Sequence, residues 1–173
     1  MNDTDSGSRQ LVLRSPIAED GASVWRLVGQ CPPLDTNSMY CNLLQATHFS
    51  QTSVAATQLE AGLLGFVSGY RLPSRPQTLF VWQVAVSEAA RGQGLAKRMI
   101  MHILQRPENS DIDRIETTIT ESNGASWALF TSLANDLSAN LNKKVMFDEQ
   151  QHFDGEHATE MLVTVGPISS IAP

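Results

Sequence analysis

Cysteine is scarce in this chain. Cys31 and Cys41 are the only two in 173 residues, and their spacing fits neither a C-x-x-C pair nor a zinc site. That excludes a disulfide framework and leaves two reduced thiols near a loop. His48, His102 and His152 show no ligand spacing either, so no metal is expected. Long apolar runs are missing as well. Nothing approaches the roughly 18 consecutive apolar residues of a membrane span. The polar start, MNDTDSGSRQ, lacks the apolar segment of a signal peptide. The expectation is a cytoplasmic protein with no membrane partner. Positive charge is in deficit: 12 Lys and Arg stand against 18 Asp and Glu, a net charge of −6. That argues against a nucleic-acid partner, because phosphate binding needs a basic face.

What is present suits one folded domain. The length allows a sizeable core, and 42% of the residues are apolar. A disordered N-terminal tail is expected at 1–8 and a C-terminal tail at 169–173, with a single domain at 9–168. Leu11 to Pro16 reads as a short strand, with Ser15 and Pro16 placed to open a helix through Val24, Trp25 and Val28. The two prolines of CPPLDTNS end that helix. A second helix is predicted from about Ser38 to Ala46. Three strands follow: Thr52 to Glu60, Gly62 to Leu72, and Thr78 to Ser87, the last two joined by a Pro73–Gln77 loop. Leu95 to Gln105 has helical period, and Pro107 lies past its end. Asp113 to Thr120 is a strand and Ser126 to Leu137 a helix. Lys143 to Asp148 and His157 to Gly166 are two final strands, separated by polar EQQHFDGE. The order β-α-α-β-β-β-α-β-α-β-β gives an α/β class, a mixed sheet with helices on its faces.

One junction carries chemistry. In FVWQVAVSEAARGQGLAKRMI, an apolar strand stops at a glycine-containing loop that opens a helix near Gly94. The first N–H groups of a helix have no intrahelical partner, and with the helix dipole they attract an anion. Gly92 and Gly94 let a phosphate approach the main chain, and Arg91, Lys97 and Arg98 add positive charge. The loop is not a Walker A motif, because no Gly-Lys-Ser/Thr closes it. It does not fit the dinucleotide fingerprint either.

The spacing Arg91-x-x-Gly94-x-Ala96, in its place between strand and helix, resembles the pyrophosphate loop of the GNAT superfamily of acetyl-CoA-dependent N-acetyltransferases. NGASWALF, Asn123 to Phe130, is similar to that superfamily's N-x-x-A-x-x-L-Y helix start. The resemblance runs from about Leu11 to Gly166. It implies a GNAT-like fold whose central strand is splayed from its neighbour by a bulge, with acetyl-CoA as co-substrate in the gap. It implies main-chain pairing of the pantetheine with Gln83, Val84, Ala85 and Val86. Phosphate contacts would fall at Arg91, Gly92, Gln93, Gly94, Leu95, Ala96 and Lys97, and Asn123 would bond the pantetheine arm. Phe130 departs from the pattern: it replaces a tyrosine that protonates the leaving thiolate.

Four blocks, PPLDTNSMYCNLL, FVWQVAV, TESNGASWALF and FDGEHATEMLV, resemble the L-2,4-diaminobutyrate acetyltransferases of ectoine synthesis. That resemblance implies acetyl transfer to the γ-amine of diaminobutyrate, with Asp35, Tyr40, Trp82, His157 and Glu160 around the amino acid, and a homodimer. The expected mechanism is direct attack in a ternary complex. Glu160, Asp35 and His157 are candidate acceptors of the amine proton. Main-chain N–H groups around Val84 would stabilise the oxyanion. An acetyl-cysteine route is disfavoured, since neither cysteine has an evident basic partner in the sequence. The rivals are a GNAT enzyme acting on a polyamine or protein amine, and a non-catalytic CoA sensor.

Overall fold

A computed structural model describes residues 10–169. The expected N-terminal tail, and all but Ser169 of the C-terminal one, lie outside them. The elements run β1 (Leu11–Arg14), α1 (Gly21–Gly29), α2 (Met39–His48), β2 (Val54–Gln58), β3 (Gly62–Leu72) and β4 (Arg75–Val86). Then come α3 (Leu95–Leu104), β5 (Arg114–Thr120), α4 (Gly124–Asp136), β6 (Leu141–Phe147), α5 (Glu149–Phe153) and β7 (Glu160–Val165). The strands form one mixed sheet in the order β1-β2-β3-β4-β5-β7-β6. The expected α/β class and element order are borne out, apart from α5.

Local chemistry explains most boundaries. Ser38 caps α2, its Oγ accepting from the Cys41 N–H at 3.1 Å. Asn123 caps α4, its Oδ1 accepting from the Ser126 N–H at 3.1 Å. In α3, Leu95, Met99, Ile100, Ile103 and Leu104 are buried along one stripe. They pack with Leu79, Val81, Ile115, Leu133 and Val163 into the main core between the sheet and α3 and α4. A smaller core on the opposite face joins Val24, Leu27 and Val28 of α1 to Phe66 and Ala85.

Three expectations need correction. Ser15 and Pro16 do not open α1. The Asp20 carboxylate instead accepts from the Ile17 N–H and pairs with Arg14, and a 3-10 turn at Ala18–Asp20 delays the helix to Gly21. The Pro73–Gln77 loop shrinks to two residues, because Leu72 already pairs with Arg75. Polar EQQHFDGE is not all loop: Asp148 accepts from the Gln150 and Gln151 N–H groups at 3.0 and 2.9 Å and starts α5.

Two features of β4 place the site. Ser68 of β3 pairs with Gln83 and Gly69 with Val81, so Trp82 is the extra residue of a β-bulge. On its other edge β4 pairs with β5 in parallel only from Thr78 to Phe80, opposite Arg114 to Glu116. Beyond Phe80 the two strands part, although both continue.

Candidate active site

The parting of β4 from β5 opens a cleft across the sheet. One cavity, of about 250 Å³, is lined by Asp35, Trp82, Val84, Phe130, His157 and Glu160, among others. A second, of about 310 Å³, is lined by Cys31, Val84, Val86, Arg91, Ala96 and Leu129, among others. They share Pro33, Leu34, Val84, Asn123 and Ser126, so they adjoin along the free edge of β4. Its ends differ in charge. Asp35, Glu160 and His157 line the first cavity, and no Lys or Arg does among the described residues. Arg91 lines the second.

At the Arg91 end the chain turns through Gly92 and Gly94, with φ of +73° and +70°. Side chains rarely adopt this left-handed region, which explains glycine at both positions. A Cβ on either would meet no protein atom within 4 Å, so space lies open before the turn. Gly94 is the N-cap of α3, and the N–H groups of the first turn follow it. The Arg91 Nε donates to the Val86 carbonyl at 3.1 Å, which holds the guanidinium at the strand end. Lys97 turns away: its Nζ donates to Ser132 Oγ at 3.1 Å and pairs with Asp136 of α4. Cys31 does have a charged neighbour, contrary to the sequence expectation. Its Sγ donates to Val86 O at 3.4 Å and lies 3.7 Å from Arg91 Nη2.

At the acidic end the loop between α1 and α2 brings Asp35 over the bulge. Glu160 opens β7, and His157 sits in the loop before it rather than in a strand. His157 Nε2 lies 3.8 Å from Glu160 Oε1. Burial pushes the Glu160 carboxyl above its ordinary range; the Thr118 hydroxyl and His157 pull it down, and Asp35 adds to the rise. Three buried polar atoms on residues lining this cavity have no hydrogen-bond partner among the described residues: Asn37 Nδ2, Gln83 Oε1 and Glu160 Oε2. Such groups are costly unless a ligand or water satisfies them, so the cavity is built for a polar guest.

Of the expected substrate residues, Asp35, Trp82, His157 and Glu160 line this cavity together. Tyr40 does not: it stands in the first turn of α2, 69% exposed. Asn37 lines the cavity as well. The Gln83 side chain was missed as a site residue, because only folding shows that its amide is buried at the cleft. Phe130 is 2% exposed and lines the cavity without a titratable group. The described residues hold no cluster of His, Cys, Asp and Glu suited to a metal ion.

Comparison with known proteins agrees with this geometry. Residues 24–134 match the model of the Acetyltransferase (GNAT) family. An L-2,4-diaminobutyric acid acetyltransferase from Methylotuvimicrobium alcaliphilum is 62% identical over 93% of both chains. One from Vibrio cholerae is 49% identical, covering 92% of this chain and 91% of its own. The solved structure of the diaminobutyrate acetyltransferase EctA from Paenibacillus lautus, in complex with L-2,4-diaminobutyric acid and coenzyme A, superposes with a TM-score of 0.88. It is 37% identical and covers 95% of this chain and 99% of that one. The chain belongs to the GNAT acetyltransferase family and, within it, to the L-2,4-diaminobutyric acid acetyltransferases.

Proposed function

We propose that this protein transfers the acetyl group of acetyl-CoA to the γ-amino nitrogen of L-2,4-diaminobutyrate, giving the N4-acetyl product on the route to ectoine. One observation carries the reading. Two adjoining cavities along the unpaired edge of β4 place Arg91, which precedes the glycine turn, at one end and Asp35 and Glu160 at the other. That polarity suits an anionic cofactor tail at one end and a diamine at the other.

The residues fit acetyl-CoA. The turn at Gly92 and Gly94 and the first amides of α3 receive the diphosphate, with Arg91 beside them. The free edge of β4 from Gln83 to Val86 pairs with the pantetheine, and Asn123, whose Nδ2 is not used in capping, donates to it. The bound thioester supplies an acyl group activated toward amines. Asp35, His157 and Glu160 hold the protonated diamine, and the Trp82 ring covers its aliphatic stem. Glu160 takes one proton from the γ-ammonium, directly or through water, because only the neutral nitrogen has a lone pair. Its raised affinity for protons improves the match to an amine. The Val84 N–H stabilises the negative charge that develops on the carbonyl oxygen. The neutral nitrogen attacks the thioester carbonyl, the C–S bond breaks, and the second proton of the new amide nitrogen passes to water; Phe130 gives none to the departing sulfur, so the thiolate leaves unassisted. That is tolerable because a thiol is far more acidic than an alcohol.

The proposal includes one domain spanning 9–168, working in the cytoplasm as a homodimer. Exposed Val145, Met146 and Phe147 on the edge strand β6 support association. Sedimentation of the purified protein tests it, and a monomer at micromolar concentration would remove it.

The functional test is an assay of purified protein with diaminobutyrate, spermidine and lysine peptides, with mass spectrometry of the product. Acetyl on the γ-nitrogen of diaminobutyrate is expected. No turnover of diaminobutyrate would overturn the reading. Turnover of spermidine or a lysine peptide in its place would assign another amine, and CoA binding without any turnover would make the protein a sensor.

A further inference from the structure

Gln83 is 5% exposed, beside the extra residue of the β4 bulge. Its Nε2 donates to the main-chain carbonyl of Asp35 at 2.9 Å, across the mouth of the cleft. A carbonyl oxygen only accepts, so this bond fixes which end of the amide is which. Oε1 is then the other end. It is buried, has no partner among the described residues, and belongs to a residue lining the acidic cavity. An unsatisfied buried acceptor is costly, and a ligand N–H that reaches it recovers the loss. The cavity's guest, on the functional reading above, carries two amino groups.

We propose that the Gln83 side chain is a positioning and specificity residue: Nε2 sets the Asp35 loop against β4, and Oε1 accepts a hydrogen bond from a substrate amino group. The bulge enables both. It moves Gln83 out of the strict alternation of β4 and keeps it close to the Asp35 loop. The inference rests on the diaminobutyrate reading.

Two variants test it. Gln83→Met keeps the shape and removes both polar ends. It should raise the KM for diaminobutyrate on the order of tenfold or more, as expected for a lost bond to a charged group, and leave the KM for acetyl-CoA within about twofold. An unmoved KM for diaminobutyrate, or an equal rise in both, would overturn the proposal. Gln83→Glu retains an acceptor, and donates to the Asp35 carbonyl only when protonated. The ratio of its kcat/KM to that of the wild type should therefore climb as pH falls; a flat ratio would remove the role of Nε2. Wild-type protein that binds CoA but leaves diaminobutyrate unchanged would overturn the functional reading, and this inference with it. Active wild type with an unmoved Gln83→Met overturns this inference alone.

Discussion

His157 and Glu160 meet in an orientation that fixes a proton. Nδ1 of His157 lies 2.7 Å from the carbonyl oxygen of Ala158, which can only accept, so Nδ1 carries the hydrogen. Nε2 faces Glu160 Oε1 at 3.8 Å. A neutral imidazole would aim its lone pair at an ionised carboxylate. The pair is satisfied when it holds one further proton, on either partner, and a water can bridge the gap. Under the proposed function, the pair offers a destination for the amine proton.

The first prediction concerns pH. Glu160 must be ionised to accept a proton, and burial, the largest influence on it, has raised its pKa. Activity should therefore fall as pH drops through that raised value, above the usual carboxylate range. Glu160→Gln should lower kcat by roughly 10²–10⁴-fold and abolish that acidic limb. A pH–rate profile checks both, and an unchanged kcat would place the base elsewhere.

Gly94→Ala should separate torsion from packing. Its φ of +70° costs a side chain about 1–2 kcal/mol, yet the new methyl would meet nothing. The expected result is a Tm lower by roughly 2–8 °C, together with a raised KM for acetyl-CoA. Calorimetry and steady-state kinetics measure these, and an unchanged Tm would contradict the left-handed turn.

Gly69 and Gly65 make a matched pair. A Cβ at Gly69 would lie 2.9 Å from Phe80 O and 3.0 Å from Thr52 O, both main-chain atoms. At Gly65 it would meet the flexible tip of Met99 at 2.8 Å. Gly69→Ala should cost about 1–3 kcal/mol, and Gly65→Ala clearly less. Gly69 adjoins the Trp82 bulge, so its variant should also raise the KM for diaminobutyrate. Urea unfolding gives the order, and a reversed order would count against the register of β3.

Phe130→Tyr restores a phenol at a position facing the cavity. If the thiolate needs no acid, kcat should stay within about threefold of the wild type. A gain of tenfold or more would show that protonation of the sulfur limits turnover.

Much of this was legible in the chain. The glycine loop announced itself through Arg91, Gly94 and Ala96, because a strand-to-helix turn with bare glycines is a local event. Ser38 marked the start of α2 for the same reason. Asp148 carried the same signal for α5, but five residues are too few to show a period. The delay of α1 to Gly21 was hidden because it depends on Arg14 reaching Asp20. The missed Gln83 side chain looked like any polar residue in a strand. Its Asp35 partner lies 48 residues away, and no short-range pattern encodes that bond.

By itself the sequence determined the alternation of elements, the backbone freedom at the Gly92–Gly94 turn, and the residue types present as candidate proton acceptors. These follow from torsional limits and hydrophobic period, which act over a few neighbouring residues. Only the tertiary structure decided that β4 leaves β5 after Phe80, that Trp82 bulges, and that Asp35, His157 and Glu160 face one cavity while Tyr40 stays outside it. Strand registry and burial are set by contacts distant in sequence, and the chemistry of this cleft is built from those contacts.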